Sequence, residues 1–401
     1  MRFHRIVRLS LLALVPACGG NPPPATDDGG VPDFAVLPDL SAPVDMVPAP
    51  PVLPQVNAHS GIVLSSLKLV TITFGGTPGD GGTGNPYPST QWVQQWGDFV
   101  VTSNWIKATG SEYGVGTGTH AAKVVLPIDP GKGITDQQVR TLIMDKIMDN
   151  TLPTPTKQDN QYLYMIYFPS TTTVNEPDGS ALCSVFSGYH SSMSFMPGAR
   201  IIYAIVGDCS GNPDDITSTA AHELMEAATD PYPNLSGSYF VDPADTNDPW
   251  TIEFGQEVGD LCETEGNVYE GGFAFQPIWS NAAAAKLSNP CVPAADPSYT
   301  TVTAVPTGLP SVAAGQAMSF TLTGWATMLE PPWHISIGDG DNSDFSATEL
   351  QAQLSAGTIS RGTHATLTLK APANAASGSL CGVQILSGPT GHRMPVGFYV
   401  Q

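Results

Sequence analysis

Residues 215–231 read DITSTAAHELMEAATDP, and this stretch decides how the chain is expected to fold. Placed on a helix at about 100° per residue, it divides into an apolar face and a polar arc. The apolar face consists mostly of small residues that allow close packing: Ala220, Ala221, Leu224, Met225, Ala227 and Ala228. The polar arc contains Thr219, His222, Glu223, Glu226 and Asp230. The preceding residues, ARIIYAIVGDC, predict a buried strand, so the polar arc is expected to line a cleft beside a sheet.

The polar arc has the spacing of a metal site. His222 and Glu226 are four residues apart, so their side chains stand one helical turn apart and can bind one cation. Glu223 is rotated by about 100° from them, as is the general base of the H-E-x-x-H zinc hydrolases. Glu226 replaces the second histidine of that motif. The pattern predicts a zinc site with Glu223 as the catalytic base, and the alternative is a solvated polar face.

The third ligand has three candidates, because a catalytic zinc ion needs three protein ligands and one open position. They are Asp260 or Glu257 in EVGDLCE, and His190 in SGYHSS, which can equally be an ordinary loop histidine. Two carboxylates and one imidazole would make the ion a weaker Lewis acid, whereas His190 with one carboxylate would favour an acidic water. An oxygen-rich set suits manganese, magnesium or calcium. Asp230, and Glu257 if it is not a ligand, are expected to orient the ligands.

Composition excludes several classes of function. The 401 residues include 15 Lys and Arg against 36 Asp and Glu, a formal net charge of −21, so no basic patch can hold nucleic acid or an anionic lipid surface. Charged residues make up only 13% of the chain, whereas 41 Gly and 37 Pro predict many loops. This composition is typical of a protein that functions outside the cytoplasm.

The N-terminus predicts export. Residues 1–17 carry three arginines and the apolar run LSLLALVPA, which is typical of a signal peptide and too short for a membrane span. The run ends at Cys18, so we expect a bacterial lipoprotein anchored through that cysteine, with simple secretion as the alternative. Residues 18–57 are rich in Pro and Asp and predict a disordered tether. The membrane is therefore a partner only through the lipid anchor.

Two folded domains are expected after the tether. In residues 58–294, LKLVTITFGG, AKVVLPI, YLYMIYF and IIYAIVG predict strands that alternate with helices, which indicates an α/β architecture with a zincin-like mixed sheet and an active-site helix. Residues 298–401 contain about seven short alternating strands, which predict an all-β, immunoglobulin-like sandwich. Within it, IGDGDNSDF offers three carboxylates for calcium, but the register fails the helix-loop-helix pattern, so a solvated turn is favoured. These carboxylates are Asp339, Asp341 and Asp344.

The six cysteines predict two disulfides. Cys183 and Cys209 flank the strand before the helix, and Cys262 and Cys291 bracket the segment after it, so we pair them in this way. Cys381 is then left as a small buried apolar residue. No short C-x₂₋₄-C spacing is present, so a zinc–thiolate site is not expected.

Seven segments of residues 58–294 carry a family resemblance. They are SEYGVG, YLYMIYF, ALCSVFSGYHSS, YAIVGDC, AAHELMEAATDP, EVGDLCE and PIWSNAAAAKLSNPC. In this order they resemble the phosphate-induced, EXORDIUM-like family of secreted proteins and its bacterial relatives. The resemblance implies a secreted domain with a metallopeptidase-like helix, and it covers neither the tether nor the sandwich.

Two functions are therefore compared. The first is a surface-anchored, zinc-dependent, peptidase-like hydrolase that acts on a peptide or a cell-surface polymer. The second is a non-catalytic binding protein of the cell surface with a structural or vestigial metal site. The hydrolase requires His222, Glu223 and Glu226 to meet at the floor of an open groove, whereas a closed shell under residues 231–256 would favour the binding protein. A serine hydrolase is not favoured, because no G-x-S-x-G occurs.

Overall fold

The computed structural model describes residues 48–75, 90–176, 179–233, 235–389 and 391–401. The predicted signal peptide, the lipidation site at Cys18 and most of the tether lie outside the described residues. Strands outnumber helices in the described part, and the fold is a mixed, β-rich one. None of its helices is both long enough and apolar enough to cross a membrane.

The N-terminal part contains all the helices of the described residues. Its elements are β1 (Val56–Ala58), β2 (Lys68–Phe74), α1 (Thr90–Val100), α2 (Asn104–Gly110), β3 (Thr119–Leu126), β4 (Gly133–Thr135), α3 (Asp136–Met148), β5 (Tyr162–Phe168), β6 (Thr173–Asn175), β7 (Gly188–Met196), β8 (Ala199–Gly207), α4 (Pro213–Thr229), β9 (Tyr239–Val241), β10 (Val268–Glu270), β11 (Phe273–Phe275), β12 (Ile278–Trp279), α5 (Asn281–Ala284) and β13 (Cys291–Val292).

A five-stranded sheet of order β3-β2-β5-β8-β7 forms the centre of this part. Strands β3, β2, β5 and β8 are parallel, and β7 is the antiparallel edge strand beside β8. The four strands predicted from apolar runs fall on β2, β3, β5 and β8. Strand β7 was not predicted, because GYHSSMSFM alternates too weakly to stand out from a loop.

Both faces of the sheet are covered, which explains why its central strands are continuously apolar. On one face, Leu163 and Met165 of β5 share a core with α1, α2 and α4. On the other face, Tyr164 and Ile166 pack with the apolar side of α3. Helix α3 begins at a capping box, in which the Thr135 side chain accepts a hydrogen bond from the Gln138 backbone N–H and the Gln138 side chain accepts one from the Thr135 backbone N–H.

The end of the predicted tether is ordered in the structure. Strand β1 pairs with β9 in antiparallel register, from Val56 opposite Val241 to Ala58 opposite Tyr239. The indole N–H of Trp250 donates to the carbonyl of Val52 at 2.8 Å. The folded part therefore begins before residue 58. The sequence does not reveal this, because the partners of these residues lie far away in the chain and leave no local pattern.

The C-terminal part consists of strands in two sheets. Its elements are β14 (Thr300–Val305), β15 (Ser311–Val312), β16 (Ala317–Ala326), β17 (Trp333–Asp339), β18 (Gln353–Leu354), β19 (Thr358–Ile359), β20 (His364–Lys370), β21 (Leu380–Ser387) and β22 (His392–Val400). The sheet orders are β14-β16-β20-β18 and β15-β22-β21-β17-β19. Buried residues of both sheets belong to one apolar cluster, among them Phe320 and Leu367 in the first and Val383 and Phe398 in the second. The all-β character expected of this part is thus present.

Strands β21 and β22 are buried almost throughout, so their second face is also covered. The cover is a 3₁₀ turn, Pro249–Glu253, of the N-terminal part. Ile252 of this turn is fully buried and clusters with Leu309 and Leu380. The two parts of the chain therefore share a packed interface, which an alternating strand pattern does not reveal.

The two predicted disulfides are confirmed. Cys183 pairs with Cys209 and Cys262 pairs with Cys291, with Cα–Cα distances of 4.9 and 5.6 Å. Cys381 is a buried free thiol, as expected. Disulfides persist in oxidising compartments, so the chain is suited to an extracellular location.

Candidate metal centre and cleft

Helix α4 carries the predicted site residues on one arc. Asn212 caps the helix by accepting a hydrogen bond from the backbone N–H of Asp214 at 3.2 Å. The alanine-rich face packs towards β5 and β8, so the polar arc faces away from these strands. His222, Glu223 and Glu226 are nevertheless only 6%, 3% and 3% exposed. The arc is therefore buried, which excludes the solvated polar face as its explanation.

His222, Glu226 and Asp260 form a first ligand set, called the inner set, whose ligand atoms lie within 4.8 Å of one another. His222 Nε2 lies 3.1 Å from Glu226 Oε2 and 3.6 Å from Asp260 Oδ1. The backbone N–H of Asp260 donates to Glu226 Oε1 at 3.2 Å. Asp260 Oδ2 accepts from the backbone N–H of Glu257 at 2.7 Å, which fixes the carboxylate. One imidazole and two carboxylates are donors that suit a divalent cation.

Gln276, which sequence reasoning missed, sets the tautomer of His222. Its side-chain N–H donates to the carbonyl of Gly259 at 2.7 Å, so its Oε1 faces His222 Nδ1 at 3.0 Å. Nδ1 must then carry the proton, and the lone pair of Nε2 points at the inner set. A β-carbon at Gly259 would lie 2.8 Å from Glu226 Oε1 and 2.9 Å from His222 Nδ1. Only glycine therefore allows this loop to approach the helix so closely.

His190, Glu226 and Glu257 form a second ligand set, called the outer set, which shares Glu226 with the inner set. His190 lies on β7, and its Nε2 donates to the carbonyl of Asp230 at 3.1 Å. Nδ1 is thereby left with a lone pair that faces Glu226 Oε2 at 3.7 Å. Asp230 thus orients a ligand through its backbone, as well as holding the Ser238 N–H with its carboxylate at 2.9 Å.

Glu223 stands beside both sets. Its Oε2 lies 3.6 Å from His190 Nδ1 and accepts no hydrogen bond in the described part of the chain. A β-carbon at Gly188 on β7 would lie 2.9 Å from Glu223 Oε1, so the edge strand passes close to this carboxylate. A buried carboxylate oxygen without a donor is suited to receive a proton.

The histidines are held in a strongly negative environment. Burial opposes protonation of His222, but the carboxylates of Glu226, Glu223 and Asp260 outweigh it and raise its pKa to about 10. The pKa of His190 is also raised, because Glu223 and Glu226 outweigh its burial. Burial raises the pKa of Glu257, and the neighbouring carboxylates act in the same direction. The cluster therefore favours positive charge, supplied by protons or by a cation.

The sets face a cleft with a volume of about 720 Å³. His190, His222, Glu223, Glu226 and Glu257 line it, whereas Asp260 lies behind them. Apolar rings form other parts of the wall, among them Phe186, Tyr189, Phe240, Phe254 and Phe345. The predicted residues of helix α4 therefore meet at a cleft that also has room for apolar groups.

Residues 339–346 of the C-terminal part also line the cleft, a position that was not predicted from the sequence. The carboxylates considered for calcium are engaged separately. Asp339 accepts from the Ala347 N–H at 2.7 Å, Asp344 accepts from the Leu380 N–H at 2.8 Å, and Asp341 lies 3.4 Å from an Arg393 nitrogen. These three do not form a ligand group among the described residues, in keeping with the favoured turn.

Comparisons with known proteins give little guidance. No family model and no curated protein matches the chain. A family 123 glycoside hydrolase from Clostridium perfringens is similar over 23% of this chain and 22% of its own, with 14% identity and a TM-score of 0.17. Catalytically inactive OgpA from Akkermansia muciniphila, solved with an O-glycopeptide substrate, is similar over 88% and 96%, with 10% identity and a TM-score of 0.22. TM-scores this low carry no argument about fold or function.

Proposed function

We propose that the chain is an extracytoplasmic, metal-dependent hydrolase of the peptidase type, with a divalent cation in the inner set and Glu223 as the general base. The observation that carries the proposal is the joint position of His222, Glu226 and Glu223 on the wall of one cleft. The orientation of His222 supports it, since Gln276 holds Nδ1 and leaves Nε2 as the nitrogen that faces Glu226 and Asp260.

A cation in the inner set would supply Lewis acidity to a substrate carbonyl and acidify a nearby water molecule. The residues of the chain do the remaining work. Glu223 Oε2 accepts the proton of the attacking water, because it is buried, has no hydrogen-bond donor within the described residues and lies outside the inner set. Gln276 Oε1, which accepts from His222 Nδ1, and the loop at Gly259 hold the His222 ring in place.

Zinc is the expected ion, with manganese or calcium as alternatives. The inner set offers one nitrogen and two oxygens, which zinc accepts but which also suits harder ions. Two carboxylates neutralise the charge of the ion and leave a weaker Lewis acid. Reconstitution with each metal, followed by measurement of cleavage, distinguishes the three.

A peptide substrate is supported by the edge strand. Strand β7 ends the five-stranded sheet and passes beside Glu223, so an extended peptide can add to its outer edge. The same arrangement, a helix with its polar arc towards a cleft below an antiparallel edge strand, underlies our proposal of a zincin-like domain. Membership in the EXORDIUM-like family and the immunoglobulin-like character of the two C-terminal sheets likewise stay proposals.

Three variants test the function. We expect His222→Ala and Glu226→Ala to lose bound metal, whereas Glu223→Gln keeps the metal and loses about 10²–10⁴-fold in the rate of peptide cleavage. The measurements are metal content after dialysis against zinc or manganese and cleavage of a broad peptide library. Unchanged cleavage by Glu223→Gln removes Glu223 as the base, and a parent protein without bound metal ends the hydrolase proposal.

The binding-protein alternative is favoured by one observation. The residues of the inner set are at most 6% exposed, which is closer to a structural ion site than to an open catalytic one. It predicts bound metal in the parent, with no cleavage of any library peptide. Loss of thermal stability on metal removal, without any activity to lose, would support it.

Anchoring to a membrane through Cys18 is a separate proposal that rests on the sequence alone. The parent should partition into detergent, and Cys18→Ala should remain in the aqueous phase. Identical partitioning of the two proteins would contradict lipidation.

A further inference from the structure

The cleft contains more buried negative charge than one cation can balance. Five carboxylates lie in or directly behind its wall, each at most 5% exposed: Glu223, Glu226, Asp230, Glu257 and Asp260. In the described part of the chain, Glu223, Glu226 and Glu257 form ion pairs only with His190 and His222. Buried charges are costly unless they are paired, and one divalent ion balances two carboxylates. The remaining charge calls for a second cation or for bound protons.

Glu257 is one of the carboxylates in this group that has a buried oxygen without a hydrogen-bond donor among the described residues. Its Oε1 is buried, accepts no hydrogen bond among the described residues and lies 3.6 Å from His190 Nε2. Nε2 donates to the carbonyl of Asp230, so it offers Glu257 proximity without a hydrogen bond. This oxygen of Glu257 is therefore available as a ligand for a cation in the outer set.

The geometry separates the outer set from the inner one. In the described residues, the two ligand sets share Glu226, and neither contains both His190 and His222. One ion cannot therefore use both histidines without a rearrangement. His190 Nδ1 lies 3.7 Å from Glu226 Oε2 of the outer set and 3.6 Å from Glu223 Oε2.

We infer that the outer set is a second divalent-cation site, so that the cleft holds two ions that share Glu226. The inference rests on the proposed metal function and deepens it. Shared carboxylates between two divalent ions are typical of two-metal hydrolases, in which the pair clamps the attacking and leaving atoms. His190, Glu226 and Glu257 all line the cleft, whereas Asp260 of the inner set does not. The outer ion is thus the more accessible of the two and exchanges first on dialysis.

Metal stoichiometry tests the inference on the full chain. After saturation with Mn²⁺ and gel filtration, the parent should hold two ions, and Glu257→Gln should hold one, with the affinity of that ion changed by less than about tenfold. Glu176→Gln is the matched control, because Glu176 also lines the cleft and is 5% exposed but belongs to neither ligand set. It should still hold two ions.

Electron paramagnetic resonance of the parent gives an independent readout, which holds even if Glu257→Gln fails to fold. Two Mn²⁺ ions that share a carboxylate should give an exchange-coupled spectrum, and isolated six-line signals at two equivalents would overturn the inference. A parent with one ion, or a Glu257→Gln variant with two, would also overturn it and leave the proposed function intact. A parent with no ion ends both.

Discussion

The side chain of Ile252 fills the space in which a β-carbon of Gly382 would lie. The distance from that position to Ile252 Cδ1 is only 2.3 Å, and β-carbons placed on Gly340 and Gly397 would lie 2.6 and 2.9 Å from the same side chain. Ile252 belongs to the turn that precedes Glu257, so the C-terminal part holds a segment that ends in the candidate metal site. The two sheets at the C-terminus thus support the site.

Gly382→Ala should therefore act at a distance. The added methyl group forces Ile252 out of its pocket, and such overpacking typically costs about 1–3 kcal/mol of unfolding free energy. Because the displaced turn precedes Glu257 and Asp260, we expect weaker metal binding as well. The measurements are chemical denaturation and titration with Mn²⁺.

Two further variants separate this mechanism from general damage. Gly357→Ala is the matched control, since a β-carbon there meets no atom within 4 Å, and it should change neither quantity. Ile252→Val removes the closest atom, Cδ1, and should restore metal binding in the Gly382→Ala background. If Gly382→Ala binds metal as tightly as the parent, the turn does not position the ligands.

Gln276 should contribute to metal affinity without binding the ion. Gln276→Leu leaves His222 Nδ1 without its acceptor and the carbonyl of Gly259 without its donor, so the tautomer and the loop are both freed. Loss of such a supporting group typically weakens metal affinity by about 10–100-fold. Gln276→Glu keeps an acceptor for Nδ1 and should lose less. Calorimetric titration of both variants with zinc checks the order, and equal losses would contradict the tautomer argument.

The two disulfides should differ in function although they are similar in size. They close loops with sequence separations of 26 and 29 residues, and a loop of that size contributes about 3 kcal/mol in the chain-entropy model. Replacing either pair by alanine should therefore cost similar stability. Cys262 lies two residues after Asp260. Only removal of the Cys262–Cys291 bridge should therefore also weaken binding of a cation to the inner set. Equal metal affinities in the two double variants would contradict this assignment.

The sequence predicted the core of the site because the information is local. Helical spacing places His222 and Glu226 on one stripe, and this holds wherever the helix packs. The continuous apolar runs of β5 and β8 indicate strands that are buried on both faces, because such strands need apolar residues throughout. Asp260 and His190 were identified only as candidates, because their distances to the helix depend on the loop and the edge strand that carry them.

The remaining features depend on contacts that are distant in the chain. Gln276 lies in FAFQPIW, where a buried glutamine has no signature of its own. The burial of Ile252 against three glycines joins segments about 90 to 150 residues apart, so no periodicity in either segment reveals it. Residues 339–346 were interpreted as a turn, which they are, but their place at the cleft follows from that interface.

The stability of the interface should depend on pH through Glu253. This carboxylate is fully buried, accepts two hydrogen bonds from Gln384 at 3.0 and 3.1 Å and lies 3.9 Å from Arg393. Burial, assisted by Asp341 and opposed by Arg393, raises its pKa from 4.5 to about 8.

The folded state then binds a proton that the unfolded state has released, so stability is greatest below 4.5 and falls as pH rises through about 8, by up to about 1.4 kcal/mol per pH unit. Glu253→Gln cannot ionise, so its unfolding free energy relative to the parent should increase between about pH 5 and about pH 8 in urea denaturation. Titrating groups that do not interact with Glu253 cancel in this difference, and a difference that is independent of pH would show that Arg393 keeps Glu253 ionised throughout.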